Sequence, residues 1–207
     1  MQLDEFTPQI APLPQPSIPV RFALETPFPV IGVLLILGLG AVLVLNARAR
    51  LRTGLVVLSV AALLAGGLGL LAGMVETPRE VLQERTRELV DALAQLDQAG
   101  MRSVLHEDVA VQVRGARAFE GRDAVIRGAQ TRLGGSVSIE SHAIPEVQAV
   151  IDGENAARTQ ARVRHTGTGV PPASWWRIDW YRASPESPWE AIRIEPLWIS
   201  GVGNLER

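Results

Sequence analysis

Three histidines carry most of the chemistry open to this 207-residue chain. His106 stands near Asp108, and His142 near Glu140, each pair separated by a single residue. An imidazole beside a carboxylate is the make-up of a general acid or base, because the carboxylate fixes the tautomer and steadies the imidazolium that forms. On a strand, Glu140 and His142 share one face, with Ile139 and Ser141 on the other. His106 and Asp108 fall where a short helix should end, so they suit the surface as well as a site. His165 precedes Gly167 at the end of a strand-like run and reads as structural. The three histidines lack metal-ligand spacing, and no phosphate loop or nucleophile elbow is present. There is no cysteine, which removes thiol chemistry and disulfides. Lysine is absent too; every basic side chain besides histidine is arginine. The sequence calls for no cofactor and no metal.

The formal net charge is -2 and no basic stripe with interleaved aromatics occurs, so nucleic acid is an unsuitable partner. What stands out is the distribution of apolar residues. Pro29–Leu45 and Leu55–Val75 are two long apolar runs flanking Arg48, Arg50 and Arg52. About 20 such residues span a bilayer core of about 30 Å. The expectation is a transmembrane hairpin over 28–75, with helices at 28–46 and 54–75. Basic residues concentrate in cytoplasmic loops, and the flanks opposite the arginines are acidic or mixed. The turn should therefore be cytoplasmic. The N-terminus and the C-terminal domain should be extracytoplasmic, which in a bacterial inner membrane means periplasmic. Small-residue pairs, Gly69 with Gly73 and Ala62 with Gly66, should pack the helices together or mediate association in the bilayer. Residues 1–27 hold many prolines and read as an extended outer tail.

Residues 76–207 suffice for one domain. Thr77-Pro78-Arg79-Glu80 is a helix start. Val81, Leu82, Leu89, Val90, Leu93 and Leu96 recur at helical spacing, with Gly100 as terminator. Met101–His106 reads as a second short helix, 109–113 as a strand, 119–123 as a loop and 124–133 as a third helix. The period then changes to two: strands are expected at 137–144, 147–151, 156–165, 175–182 and 189–199. Asp152-Gly153 signals a hairpin. Helices followed by strands predict an α+β domain, with three helices on one face of a curved antiparallel sheet. In Trp176-Arg-Ile178-Asp-Trp180 the apolar set should face the first helix. Asp179 and the arginines of 158–164 should face outward, where Arg162, Arg177 and Asp179 could form cross-sheet ion pairs.

Leu93-Ala-Gln-Leu-Asp-Gln-Ala-Gly100 with Leu105-His-Glu-Asp-Val109, then Phe119-Glu-Gly-Arg-Asp-Ala-Val125, then Trp176–Trp180 with Trp189–Arg193 occur in an order that resembles the nuclear transport factor 2-like superfamily, in particular its SnoaL-like members. The resemblance covers roughly 77–199. It implies a cone-shaped fold with a cavity between first helix and sheet, lined here by Leu93, Val113, Trp176, Ile178 and Trp180. It also implies an outer sheet face able to mediate a homodimer or contact a membrane-protein partner. The family's isomerases place a carboxylate where Val113 falls and a tyrosine where Leu93 falls, so that chemistry is not expected. Two readings follow. The first is a non-catalytic, membrane-anchored extracytoplasmic binding or assembly module. The second is a SnoaL-like enzyme of isomerase, dehydratase or hydrolase type, acting on a small hydrophobic substrate through His142 with Glu140, or His106 with Asp108.

Overall fold

The computed structural model describes residues 10–14, 28–74, 77–135 and 137–205; most of the tail expected over 1–27 lies outside them. The chain divides into two compact units, residues 15–77 and residues 1–14 with 78–207.

The first unit contains two helices, α1 (Phe28–Ala47) and α2 (Leu51–Met74), of 20 and 24 residues. Both are long and apolar enough to cross a membrane. Their outward side chains are hydrocarbon: Ile36 and Leu63 are largely exposed. The connection is tighter than the sequence suggests. Arg50 N–H donates to Leu45 O at 2.8 Å and Ala49 N–H to Asn46 O at 2.9 Å, the paired bonds that close a helix through a left-handed residue. Ala49 occupies that position with φ 57°, where glycine is usual. Arg52 consequently lies in the first turn of α2, outside the connection. The tightest approach is at small residues outside the expected pairs, although a Cβ on Gly69 of one pair would also meet Ile31 of α1, at 3.5 Å. A Cβ on Gly54 would meet the Val42 backbone at 2.9 Å, and one on Gly38 would meet Ala61 at 3.0 Å. Ala62 and Gly66 are exposed, so that pair does not pack the hairpin.

The second unit is α+β. Helices α3 (Pro78–Gln95) and α4 (Gln98–Val104) lead into β1 (Leu105–Val113), β2 (Ala116–Glu120) and α5 (Arg122–Leu133). Strands β3 (Ser138–Ile151), β4 (Ala156–Thr168), β5 (Ala173–Tyr181), β6 (Glu190–Ile199) and the two-residue β7 (Gly203–Asn204) follow. The sheet order is β2-β1-β6-β5-β4-β3, with β7 paired to β6. It is mixed, since β1 runs parallel to β6. The expected all-antiparallel sheet fails at this one seam: β1 precedes the consecutive β3–β6 meander and is brought in beside its last strand. Three local readings also change. Residues 116–120 are a strand, because Arg114 and Gly115 at positive φ turn the chain back onto β1. Helix α3 stops at Leu96 with φ 54°, and Gly100 is inside α4, where a Cβ would meet the Asp97 carboxylate at 2.5 Å. Asp97 itself caps α4 by accepting from Ala99 N–H at 3.0 Å. Finally, 138–151 is one strand running through Pro145, which an edge strand tolerates.

The core lies between α3–α5 and the inner sheet face. Leu82, Leu89, Met101, Val109, Ile178 and Trp180 are essentially sealed from water. A chain of buried polar groups stitches helix to sheet. Trp180 Nε1–H donates to Thr159 Oγ1 at 2.8 Å. Thr159 and Thr86 hydroxyls meet at 3.0 Å, and Thr86 reaches the Leu82 carbonyl at 2.7 Å. Thr86 has one proton; given to Leu82, it leaves Thr159 to supply the bond between the two hydroxyls, and every group is satisfied.

On the outer face, Arg177 pairs with Glu195 and lies 3.8 Å from Asp179, which Arg193 approaches at 3.3 Å. Burial pushes the Asp179 carboxyl up, opposed by the charges of Arg193, Arg177 and Arg158. Arg162 joins no ion pair among the described residues. Residues 10–14 lie with this domain: Leu13 is buried, and its N–H donates to Gln148 Oε1 at 3.0 Å.

Candidate functional site

A cavity of about 460 Å³ opens between α3, α5 and the inner face of the sheet. The pattern that made α3 amphipathic points Leu89, Val90 and Leu93 into it, and α5 contributes Val125, Ala129 and Leu133. Strands supply Ile139, Val163, Trp176, Ile178 and Ile194. Nearly all of this wall is carbon. Polar exceptions are Ser174, His165 and Arg132. Two lining residues, Arg132 and Pro171, are exposed to solvent, which puts the mouth between the end of α5 and the loop before β5.

Of the expected lining, Leu93, Trp176 and Ile178 are in place. Val113 and Trp180 are not. Val113 is 38% exposed at the β1–β2 turn; a register shift after Val111 leaves Val111 as the lining residue of that strand. Trp180 is 1% exposed and belongs to the solid core beyond the cavity floor.

The histidines also rearrange. Ile139 faces Gly167 and Ser141 faces Thr166, so Glu140 is an extra, bulged residue. Gly167 permits this at φ +146°, because a Cβ there would lie 1.9 Å from Ser138 O. The bulge breaks the alternation on which the Glu140–His142 pairing rested. Glu140 is exposed; Ile139 lines the cavity; and His142, three residues on, reaches α3. Its Nε2 lies 2.5 Å from Asp91 Oδ1. Asp91 is the residue the sequence reading missed, and helical spacing gave one usable signal, since it follows Val90 of the lining face.

His165 is directly opposite His142 on β4 and lines the cavity. Its Nδ1 is buried with no hydrogen-bond partner. Burial lowers its pKa, the Pro171 carbonyl raises it, and His142 lowers it further. Its neutral form is favoured. Asp91, His142 and His165 therefore form a row at the cavity edge, with only His165 on the wall. His106 is elsewhere. It sits on β1, outside any helix, with Nδ1 accepting the Asp108 N–H at 3.1 Å and its ring edge-on to Tyr181. The Asp108 carboxylate is 86% exposed and 3.9 Å away, so this pair is a surface turn outside the cavity. Among the described residues no trio of His, Asp or Glu converges as metal ligands.

Neither a family model nor any curated protein sequence matches the chain. Solved structures do. The domain is similar to an NTF2-like protein from Cytophaga hutchinsonii, with TM-score 0.48 and 13% identity over 58% of this chain and 98% of that one. It is similar to an NTF2-like protein from Rhodospirillum rubrum, with TM-score 0.45 and 14% identity over 54% and 93%. The hexachlorocyclohexane dehydrochlorinase LinA-type3 from Novosphingobium barchaimii gives TM-score 0.48 and 9% identity over 59% and 90%. The likeness is in the path of the chain.

Proposed function

We propose that this protein is a membrane-anchored binding module that takes a small, predominantly apolar ligand in the cavity between α3 and the sheet. The observation that carries this reading is the cavity itself, about 460 Å³ with a wall almost wholly of carbon. Sites for small ligands are concave, apolar and sparing in polar groups, and this one has that character. The hairpin supplies the anchor, with the bilayer as partner, and Arg48, Arg50 and Arg52 support an orientation with the domain outside the cytoplasm. A reporter fused after Arg207 tests the orientation; activity only in a cytoplasmic reporter would overturn it. Titration of the full chain in phosphatidylcholine nanodiscs with 1-octanol, against empty discs, tests the binding. Saturable heat that disappears in Ala129→Phe is expected, because the ring would occupy the space. No saturable heat in the wild type would end this reading.

One observation favours a second reading. Asp91 and His142 form an oriented carboxylate–imidazole pair of the kind that abstracts protons. For an enzyme, a substrate in the cavity would be deprotonated by way of His142 or His165. His142→Ala would then abolish turnover while leaving octanol binding intact. The binding reading is stronger because the paired imidazole is not on the cavity wall and no carboxylate is.

A further inference from the structure

We infer that the ligand is an amphipathic carboxylate, its hydrocarbon body in the cavity and its anionic head at Arg132. This rests on the binding reading above and names the chemistry of what is bound. The cavity wall contains two ionisable residues, Arg132 and His165, both basic, and no acidic one. Arg132 lies in the last turn of α5 at the mouth, exposed to solvent. Its guanidinium stands over the Phe119 ring at 5.6 Å from the centroid, and Phe119 is itself part of the wall. That contact holds the cation beside the apolar interior without using its N–H donors. No carboxylate pairs with Arg132 among the described residues, whereas Arg85, Arg87, Arg102, Arg117 and Arg177 each have an acidic partner. A guanidinium presents donors in a fork that matches a carboxylate. Asp91, which follows Val90 of the lining, is engaged by His142, and Glu140 is turned out by the bulge; neither is part of the cavity wall. Deeper in the wall, Ser174 Oγ accepts the Trp176 indole N–H at 2.8 Å and keeps a single neutral O–H to donate, a weaker partner for an anion than the charged fork at the mouth. A head at the mouth and a body inside is the arrangement that satisfies both ends.

The test uses the full chain in phosphatidylcholine nanodiscs at neutral pH, with empty discs as blank and two probes of equal chain length, octanoate and 1-octanol. Octanoate should bind about tenfold more tightly than octanol, the scale of one charge-assisted contact at a partly exposed site. Arg132→Gln should erase that preference, and Arg132→Lys should restore part of it. Ala129→Phe should remove both probes. If octanol binds and octanoate binds no better, the carboxylate assignment falls and the apolar cavity stands. Octanoate held equally well by wild type and Arg132→Gln would also overturn it. If neither probe binds, the binding reading falls with it.

Discussion

Trp176 and Trp180 sit on the same face of one strand, and they live in different solids. Around Trp180, α3 and the sheet are in full contact: the indole is 1% exposed and its N–H begins the relay through Thr159 and Thr86 to Leu82. Around Trp176, the same helix and sheet stand apart and enclose a cavity. Strand and helix simply continue from one end to the other; the sizes of the side chains change. At the closed end large residues meet across the gap. At the open end Ala129 of α5 is a small lining residue that leaves the gap unfilled, while Gly128 lets the Phe119 ring approach the helix, where a Cβ would meet it at 2.6 Å. Stability is thus concentrated at one end, which frees the other to be hollow. A domain packed like the closed end throughout would hold together better and bind nothing.

Substitutions should separate the two ends. Trp180→Ala should cost about 3–5 kcal/mol, and Trp176→Ala about 1–2 kcal/mol, since Trp176 already lacks neighbours on its cavity side. Urea denaturation of both variants checks this, and equal costs would erase the distinction. Thr159→Val keeps the shape and breaks the relay, leaving the Trp180 N–H unpartnered in the core; about 2–3 kcal/mol should be lost. Ala129→Phe fills space at the open end and should change stability by less than about 1 kcal/mol in either direction, provided the ring finds a relaxed rotamer. A large loss would mean the cavity walls cannot accept an occupant. The smallest effect concerns pH. His165 has its folded pKa lowered chiefly by burial, so the unfolded chain binds the proton first. Stability should fall as pH drops from about 7.5 through the unfolded value near 6.5, levelling once the folded imidazole is also protonated. His165→Phe should lose this component in denaturation curves at paired pH values.

What the sequence disclosed and what it hid follow a physical division. Length and apolarity alone marked both hairpin helices, because a helix that is apolar all round leaves a signature at every position. The alternation in Trp176-Arg-Ile178-Asp-Trp180 gave the correct inner face, because β5 is regular there. Features that depend on one extra residue escaped. The bulge at Glu140 shifts phase by one, and with it the inferred histidine partner; a period-two argument has no means of registering an insertion. Asp91 and His142 are 51 residues apart, beyond any local pattern. The parallel seam between β1 and β6 is likewise a long-range event. The emptiness of the cavity was least accessible of all, since Leu93, Ile178 and Trp176 would read the same in a filled core. The resemblance supplied that cavity in outline, and placed Val113 and Trp180 in it where Val111 and solid packing are found.

The bond between Leu13 and Gln148 has a bearing beyond its own strength. Residues 10–14 and everything from Pro78 onward belong to one body, so residues 15–77 are an excursion that leaves a folded object and comes back to it. A thread moored at both ends on one bank can cross the water only an even number of times. If α1 and α2 are spans, they must cross together or not at all, whichever compartment the domain occupies. A chain inserted with one helix across and the other left behind would carry its first dozen residues to the far side, out of reach of the third strand. If both helices are spans, that single amide contact forms only after a completed round trip.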